Sequence, residues 1–216
     1  MTPPAGRYVV VAPHPDDEVL TVGGLIGRLI TIGAEVIVVS VTDGGNAYPQ
    51  LVGHDELAAR RRREQERSLD RLGVAPGHRR FLSIRDGSIA SQEDALVHAL
   101  TELLEPTTTI VAPWTHDVHT DHEAVGRAAE RAALQSGCTL WYSLFWAWHA
   151  DDLDAFDDVD LIAVELNADE RNSKAEALCC HESQLAVNGG EPVLSPSALG
   201  PAEWTVEYFV LGARPS

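Results

Sequence analysis

Short apolar runs rich in β-branched residues alternate with stretches of helical spacing along most of this chain. Tyr8-Val9-Val10-Val11-Ala12, bounded by Pro13, predicts a buried strand over 8–12. Residues 19–30 then place apolar side chains at helical intervals. A second β-branched run, 34–42, ends at Asp43-Gly44-Gly45. A polar helix is expected over 55–72, closed by Gly73 at a C′-type position. A short third strand follows at 79–82, then a helix capped by Ser91 and running to about 105, where Pro106 ends it. A fourth strand at 108–112 leads through a polar loop into a helix to about 135, and 138–145 reads as a fifth strand. The tail offers a strand at 161–166, a helix from 169 to about 181 and an aromatic strand at 204–210. This alternation predicts an α/β, Rossmann-like fold, with a mostly parallel sheet in order 3-2-1-4-5 and helices on both faces. No repeat, low-complexity segment or linker divides the chain, so one domain over 1–216 is expected.

Two polar clusters interrupt the pattern where a strand hands over to a helix. The first is Pro13-His14-Pro15-Asp16-Asp17-Glu18, and the second runs from Pro113 through His116, His119, Asp121 and His122 to Glu123. Strands 1 and 4 are neighbours at the switch point of such a sheet, so the loops after them face each other, where ligands bind. His14 and Asp17 from one loop and His122 from the other form a two-imidazole, one-carboxylate set. It suits zinc with a water ligand, the facial triad of iron(II), or another divalent metal. A bound water there would have its pKa lowered toward ~7. Asp16, beside the ligand Asp17, is the natural general base. His119 is placed to donate to an oxyanion or leaving amine, and Asp121 to orient one of the rings. A His or Asp at a helix start also serves as a cap, which is the competing reading for each cluster alone. Glu18 and Glu123 read as first-turn carboxylates favoured by the helix dipole. Gly23-Gly24 and Gly27 lie inside a helix rather than in a preceding turn, which argues against a nucleotide loop.

Composition narrows the partners. A net charge of −17 argues against nucleic acid and against an anionic membrane surface. Residues 1–7 lack an apolar signal core, and no run reaches membrane-spanning length. Cys138, Cys179 and Cys180 make a poor disulfide framework, which fits a reducing compartment, so a cytoplasmic location is expected. They lack Cys-x-x-Cys spacing, so a thiolate metal site is not expected. A homo-oligomer is left open.

The segment 13–18, Gly23-Gly24, Thr42-Asp43-Gly44 and His119-Thr120-Asp121-His122 together resemble the LmbE/PIG-L family of zinc-dependent N-acetylglucosamine deacetylases. The resemblance extends to Arg61-x-x-Glu64 before Leu72-Gly73, to Asp86-Gly87, and to Lys174 through His181-x-Ser183-Gln184. It implies zinc on His14, Asp17 and His122, Asp16 as the base, and His119 stabilising the tetrahedral intermediate. It also implies Arg61 and Asp86 near the substrate sugar. Without it, residues 60–63 read as a solvated helix face and Asp86 as a turn residue. Some family deacetylases carry a Tyr shortly before the His-x-Asp-His segment, where this chain has Asp117-Val118; His116 is a candidate substitute. Trp141, Tyr142, Phe145, Trp146 and Trp148 could stack on a sugar, though core packing suits most of them better. His149 and the acidic run 151–154 are expected over the mouth of the site, favouring neutral or cationic substrates.

The expected activity is metal-dependent hydrolysis of an N-acetyl group from an aminosugar through a metal-bound water. A nearer alternative is an amidase for another N-acyl substrate, such as a thiol conjugate or antibiotic scaffold. A more distant one is a non-catalytic nucleotide- or metal-binding module.

Overall fold

The computed structural model describes residues 2–150, 156, 159–186 and 191–212. Seven strands form one sheet: β1 (Arg7–Ala12), β2 (Glu35–Thr42), β3 (Arg79–Ile84), β4 (Thr108–Pro113), β5 (Thr139–Ser143), β6 (Leu161–Glu165) and β7 (Val206–Leu211), in the order β3-β2-β1-β4-β5-β7-β6. The first five are parallel, and β7 runs antiparallel to both β5 and β6. β1 is central, with Val10 opposite both Val38 of β2 and Val111 of β4.

Both faces of β1 are buried. Tyr8 and Val10 pack with the helices α1 (Asp17–Thr31), α2 (His54–Leu72) and α5 (Ala168–Leu178), while Val9 and Val11 pack with α3 (Glu93–Thr101) and α4 (Thr120–Ser136). This double burial explains the uninterrupted apolar run, which a one-sided sheet would have broken with alternating polar residues. α2 ends as its sequence implies, with Gly73 left-handed at φ 83°.

The helix expected over 91–105 is shorter. Ser91 sits in a 3-10 turn (Ile89–Ser91), its hydroxyl donating to the Ser88 carbonyl instead of capping. Beyond Thr101 the amides of Leu103 and Leu104 bond three residues back, tightening the chain into turns ahead of Pro106. β5 is also shorter than 138–145, because the Cys138 amide still bonds the Ala133 carbonyl of α4. The tail helix ends at Leu178, and a separate one-turn helix, α6 (Glu182–Leu185), follows His181.

α1 is broken at Val22 (φ −138°, ψ 20°). The break frees the amides of Gly24 and Leu25, which donate to Glu207 Oε1 and Oε2 of β7 at 2.9 and 2.8 Å. Lys174 of α5 pairs with Glu207 Oε1 at 2.8 Å, and both side chains are buried. Gly24 is required by close approach, since a Cβ there would overlap the Leu166 side chain. A buried carboxylate, two orphan amides and a buried ammonium thus satisfy one another.

Candidate metal and hydrolytic site

The loops after β1 and β4 converge at the C-terminal edge of the sheet. His14, Asp17 and His122 bring one ligand atom each within 4.8 Å of one another. Asp17 Oδ2 lies 3.2 Å from His14 Nδ1 and 3.1 Å from His122 Nε2, and it also accepts the His14 amide at 2.8 Å. His122 is 1% exposed, and its Nε2 meets Asp17 Oδ2 at 3.1 Å without hydrogen-bond geometry. A buried imidazole nitrogen facing a carboxylate and a second imidazole is the donor set a divalent cation takes, so the residues fit a metal.

Carboxylates back both rings. Asp121 Oδ2 and Asp86 Oδ1 each lie 3.3 Å from His14 Nε2, and Asp121 Oδ2 is itself fixed by the Gly87 amide at 2.9 Å. Asp117 Oδ2 lies 3.5 Å from His122 Nδ1, while its Oδ1 accepts the His119 amide at 3.0 Å. His14, Asp86 and Asp121 form a second group with metal-ligand spacing, but both carboxylates face the His14 nitrogen turned away from Asp17. Outer partners of this kind set the orientation of a ligating imidazole. The competing carboxylates hold His14 well above the ordinary histidine range against the pull of burial. For His122, burial opposes the charge, and Asp17 and Asp117 outweigh it, raising the ring to about 9.

Asp16 occupies the N-cap position of α1 but does not cap it: its side chain makes no bond to the helix amides, and its backbone sits at φ 140°. A non-glycine residue in that region is strained. Arg61 stabilises it. The guanidinium, 3% exposed, donates to the carbonyls of Pro15 and Gly44 at 2.8 and 3.0 Å and places Nη2 3.1 Å from Asp16 Oδ2. Arg61 is therefore a buried clamp, and the solvated-face reading applies only to its neighbours. Burial raises the Asp16 carboxyl to about 7, with Asp17 adding to the rise and Arg61 opposing it.

His119 caps α4: its Nδ1 accepts the Asp121 amide at 3.3 Å. That bond assigns the ring proton to Nε2. Desolvation and the adjacent rings of His122 and His14 hold His119 below the ordinary histidine range. The ring centroids of His119 lie 5.0 Å from His14 and 4.9 Å from His122.

A cavity of about 300 Å³ opens over these residues, its polar lining made by His14, Asp16, Asp17, Arg61, Asp86 and His119. Leu20, Asn46, Ala47, Trp146, Val193 and Leu194 complete it. Trp141, Tyr142 and Phe145 are core residues, so of the aromatic stretch only Trp146 reaches the cavity. His116 is exposed against Trp114 and does not line the cavity, so it supplies nothing in place of the absent Tyr. His149 is tied to the carbonyls of Phe145 and Ala198 and packs against Trp146 without itself lining the cavity. The acidic run 151–154 lies outside the described residues.

Asp117 is the site residue that sequence reasoning passed over; its signal was a carboxylate five positions before His122. The apolar wall gave no local signal, because its members come from positions 20, 47, 146, 193 and 194.

The family model for PIG-L, described as GlcNAc-PI de-N-acetylase, matches residues 9–133. The 1D-myo-inositol 2-acetamido-2-deoxy-alpha-D-glucopyranoside deacetylase of Rhodococcus erythropolis is 30% identical over 99% of this chain and 93% of its own. The N,N'-diacetylchitobiose deacetylase of Pyrococcus horikoshii superposes with a TM-score of 0.65 at 25% identity, covering 83% of this chain and 71% of that one. The A40926 pseudoaglycone deacetylase shares the fold, with a TM-score of 0.74 over 97% and 98% of the two chains at 22% identity. With more than half the chain matched by the family model, and the clusters that first suggested the resemblance converging in one cavity, this protein belongs to the PIG-L family.

Proposed function

We propose that this chain is a zinc-dependent hydrolase that removes the acetyl group from an N-acetylated aminosugar of the N-acetylglucosamine type. The carrying observation is the convergence of His14, Asp17 and His122 within 4.8 Å, flanked by the clamped Asp16 and by His119. A cation held by these three residues would polarise the amide carbonyl and acidify the attacking water. Arg61 occupies Asp16 Oδ2, which leaves Oδ1 to take the proton from that water. The water oxygen bonds to the acyl carbon, and the carbonyl electron pair moves onto its oxygen. His119 Nε2–H, neutral because its ring is held low, donates a hydrogen bond to that oxyanion. Asp16 then returns the proton to the nitrogen as the C–N bond breaks, giving acetate and a primary amine. A carboxyl pushed up to about 7 serves both halves of this cycle.

Asp117 and Asp121 orient the ligand rings, and Arg61 acts on substrate and base together, since it lines the cavity. Asp86 combines a contact to His14 with a place at the cavity, where it can meet a sugar hydroxyl. We read the chain as one catalytic domain over 1–216. Its three unpaired cysteines support a reducing, cytoplasmic setting, and its charge of −17 supports a small-molecule partner rather than nucleic acid or an anionic membrane. No helix among the described residues is long and apolar enough to cross a membrane. The test is amine release from N-acetylglucosamine glycosides by chelator-stripped protein with and without zinc. Zinc-dependent release is expected; no release by folded, metal-loaded protein would overturn the assignment.

A further inference from the structure

The peptide bond between Pro15 and Asp16 is gripped at both ends. Its carbonyl accepts Arg61 Nη2 at 2.8 Å, and its amide donates to Glu18 Oε2 at 3.3 Å. Asp16 leaves that peptide at φ 140°, while its own carbonyl accepts the Val19 and Leu20 amides at 3.0 and 2.9 Å and starts α1 in the usual way. The strain therefore sits in the orientation of one peptide plane, which a flip would relieve. Glu18 is fully buried and is itself held: Gln65 Nε2 donates to the same Oε2 at 2.9 Å, and Oε1 faces His181 Nε2 at 3.9 Å. Arg61 and Gln65 lie one turn apart on α2, so one helix face supplies both the grip on Asp16 and the support of Glu18. Glu64, between them, accepts the Ser183 amide and hydroxyl at 3.0 and 2.5 Å, tying the turn that carries His181 to the same helix.

We infer that Glu18 is a positioning residue for the reaction, acting through Asp16: by accepting the Asp16 amide it holds the strained peptide plane, and with it the base. The inference rests on the deacetylase reading and adds to it a residue that does not line the cavity. Loss of that acceptor would leave a buried amide unpaired in a strained conformation, and flipping the plane removes both penalties. The flip would also break the bond from Pro15 to Arg61, whose guanidinium holds Asp16 Oδ2. The base would then lose its orientation at the backbone and the side chain together. The competing role is helix starting alone, since a first-turn glutamate that reaches back to the N-cap amide supports α1 as in a capping box. That role predicts lost stability with unchanged chemistry.

Two variants of the zinc-loaded protein separate these roles. Glu18→Met keeps the length and removes the acceptor, whereas Glu18→Gln keeps an oxygen for the Asp16 and Gln65 donors. Glu18→Met should lower kcat about 10–100-fold with KM and bound zinc unchanged, and Glu18→Gln should recover most of that loss. In the Asp16→Ala background Glu18→Met should cost nothing further, because its route runs through Asp16. Unchanged kcat in folded Glu18→Met, no recovery in Glu18→Gln, or the same fold-loss with and without Asp16 would each overturn the inference. Hydrogen exchange of the Asp16 amide reads the grip without turnover: it should quicken in Glu18→Met and stay slow in Glu18→Gln. Equal exchange in the wild type and Glu18→Met would likewise overturn it. Where Glu18→Met does not fold, Gln65→Met, which removes the donor supporting Glu18, takes its place in each measurement. Absence of amine release by the wild-type protein would sink the deacetylase reading and leave the exchange result to decide this one.

Discussion

The two loops that build the site solve the same strand-to-helix turn in opposite ways. The β1–α1 loop is buried throughout Asp16, Asp17 and Glu18, leaves its N-cap carboxylate off the helix and strains that residue's backbone. It is supported from outside, by Arg61 of α2 on the loop and by Glu207 of β7 on the broken helix behind it. The β4–α4 loop has an ordinary extended cap residue, His119, and exposes His116, Val118, His119 and Thr120. Its own Asp117 and His119 satisfy its amides. The contrast teaches a division of labour. The side that must hold two carboxylates next to each other relies on long-range partners, while the other satisfies the amides of His119 and Asp121 from within its own loop.

The sharpest break of this comparison lies within one loop. Asp17→Ala, like His122→Ala across the cavity, should abolish bound zinc and with it turnover. Asp16→Ala should keep one zinc per chain while kcat falls by about 10²–10⁴. Metal content after gel filtration, read beside amine release, checks both; zinc loss in Asp16→Ala would merge the two roles. Next comes the external support. Lys174→Met leaves the Glu207 charge buried and unpaired, and should destabilise the fold by about 3–5 kcal/mol. Denaturant unfolding measures this, and a loss within the surface range would remove Glu207 as the anchor of α1.

A smaller effect belongs to the other loop. Asp117→Asn keeps the shape but removes the charge facing His122, and should weaken zinc binding by about 10–100-fold, read by chelator competition. The least is a pH dependence of the metal-free protein. His122 near 9, Glu18 near 8 and Asp16 near 7 all titrate above their ordinary values. Groups raised on folding stabilise fully below their unfolded pKa, and that stability is lost as pH rises through the folded one. Melting temperature in chelator should therefore decline from pH 6.5 to 9. The stabilisation by added zinc should grow over the same interval, because the protons competing for the imidazoles leave. A chelated protein whose melting temperature climbs with pH would contradict the pairing of His122 with Asp17 and Asp117.

Much of this was readable along the chain. The β-branched runs of β1, β2 and β4 announced buried parallel strands, and the neighbouring ends of β1 and β4 brought His14, Asp17 and His122 together as the strand order implied. What local pattern could not carry was pairing at a distance. Arg61 sits among four consecutive arginines, and nothing in that stretch says which one turns inward to Asp16. Glu207 lies 183 residues from the Gly24 amide it accepts, in a strand whose alternation gives no hint of a buried carboxylate. The 3-10 turn ahead of α3 was missed because Ser91 has the chemistry of a cap but spends its hydroxyl on Ser88.

The break in α1 bears on how the chain can be cut. The family match ends at residue 133, and the signature residues of the site all precede it. Yet Leu166, Lys174 and Glu207, which cover and pin the helix behind that signature, all follow it. A fragment ending soon after α4 would keep His14, Asp16, Asp17, His119 and His122 and lose the partner of the Gly24 and Leu25 amides. The recognisable half of this sequence is thus not a portable module; its first helix is completed by the last strand.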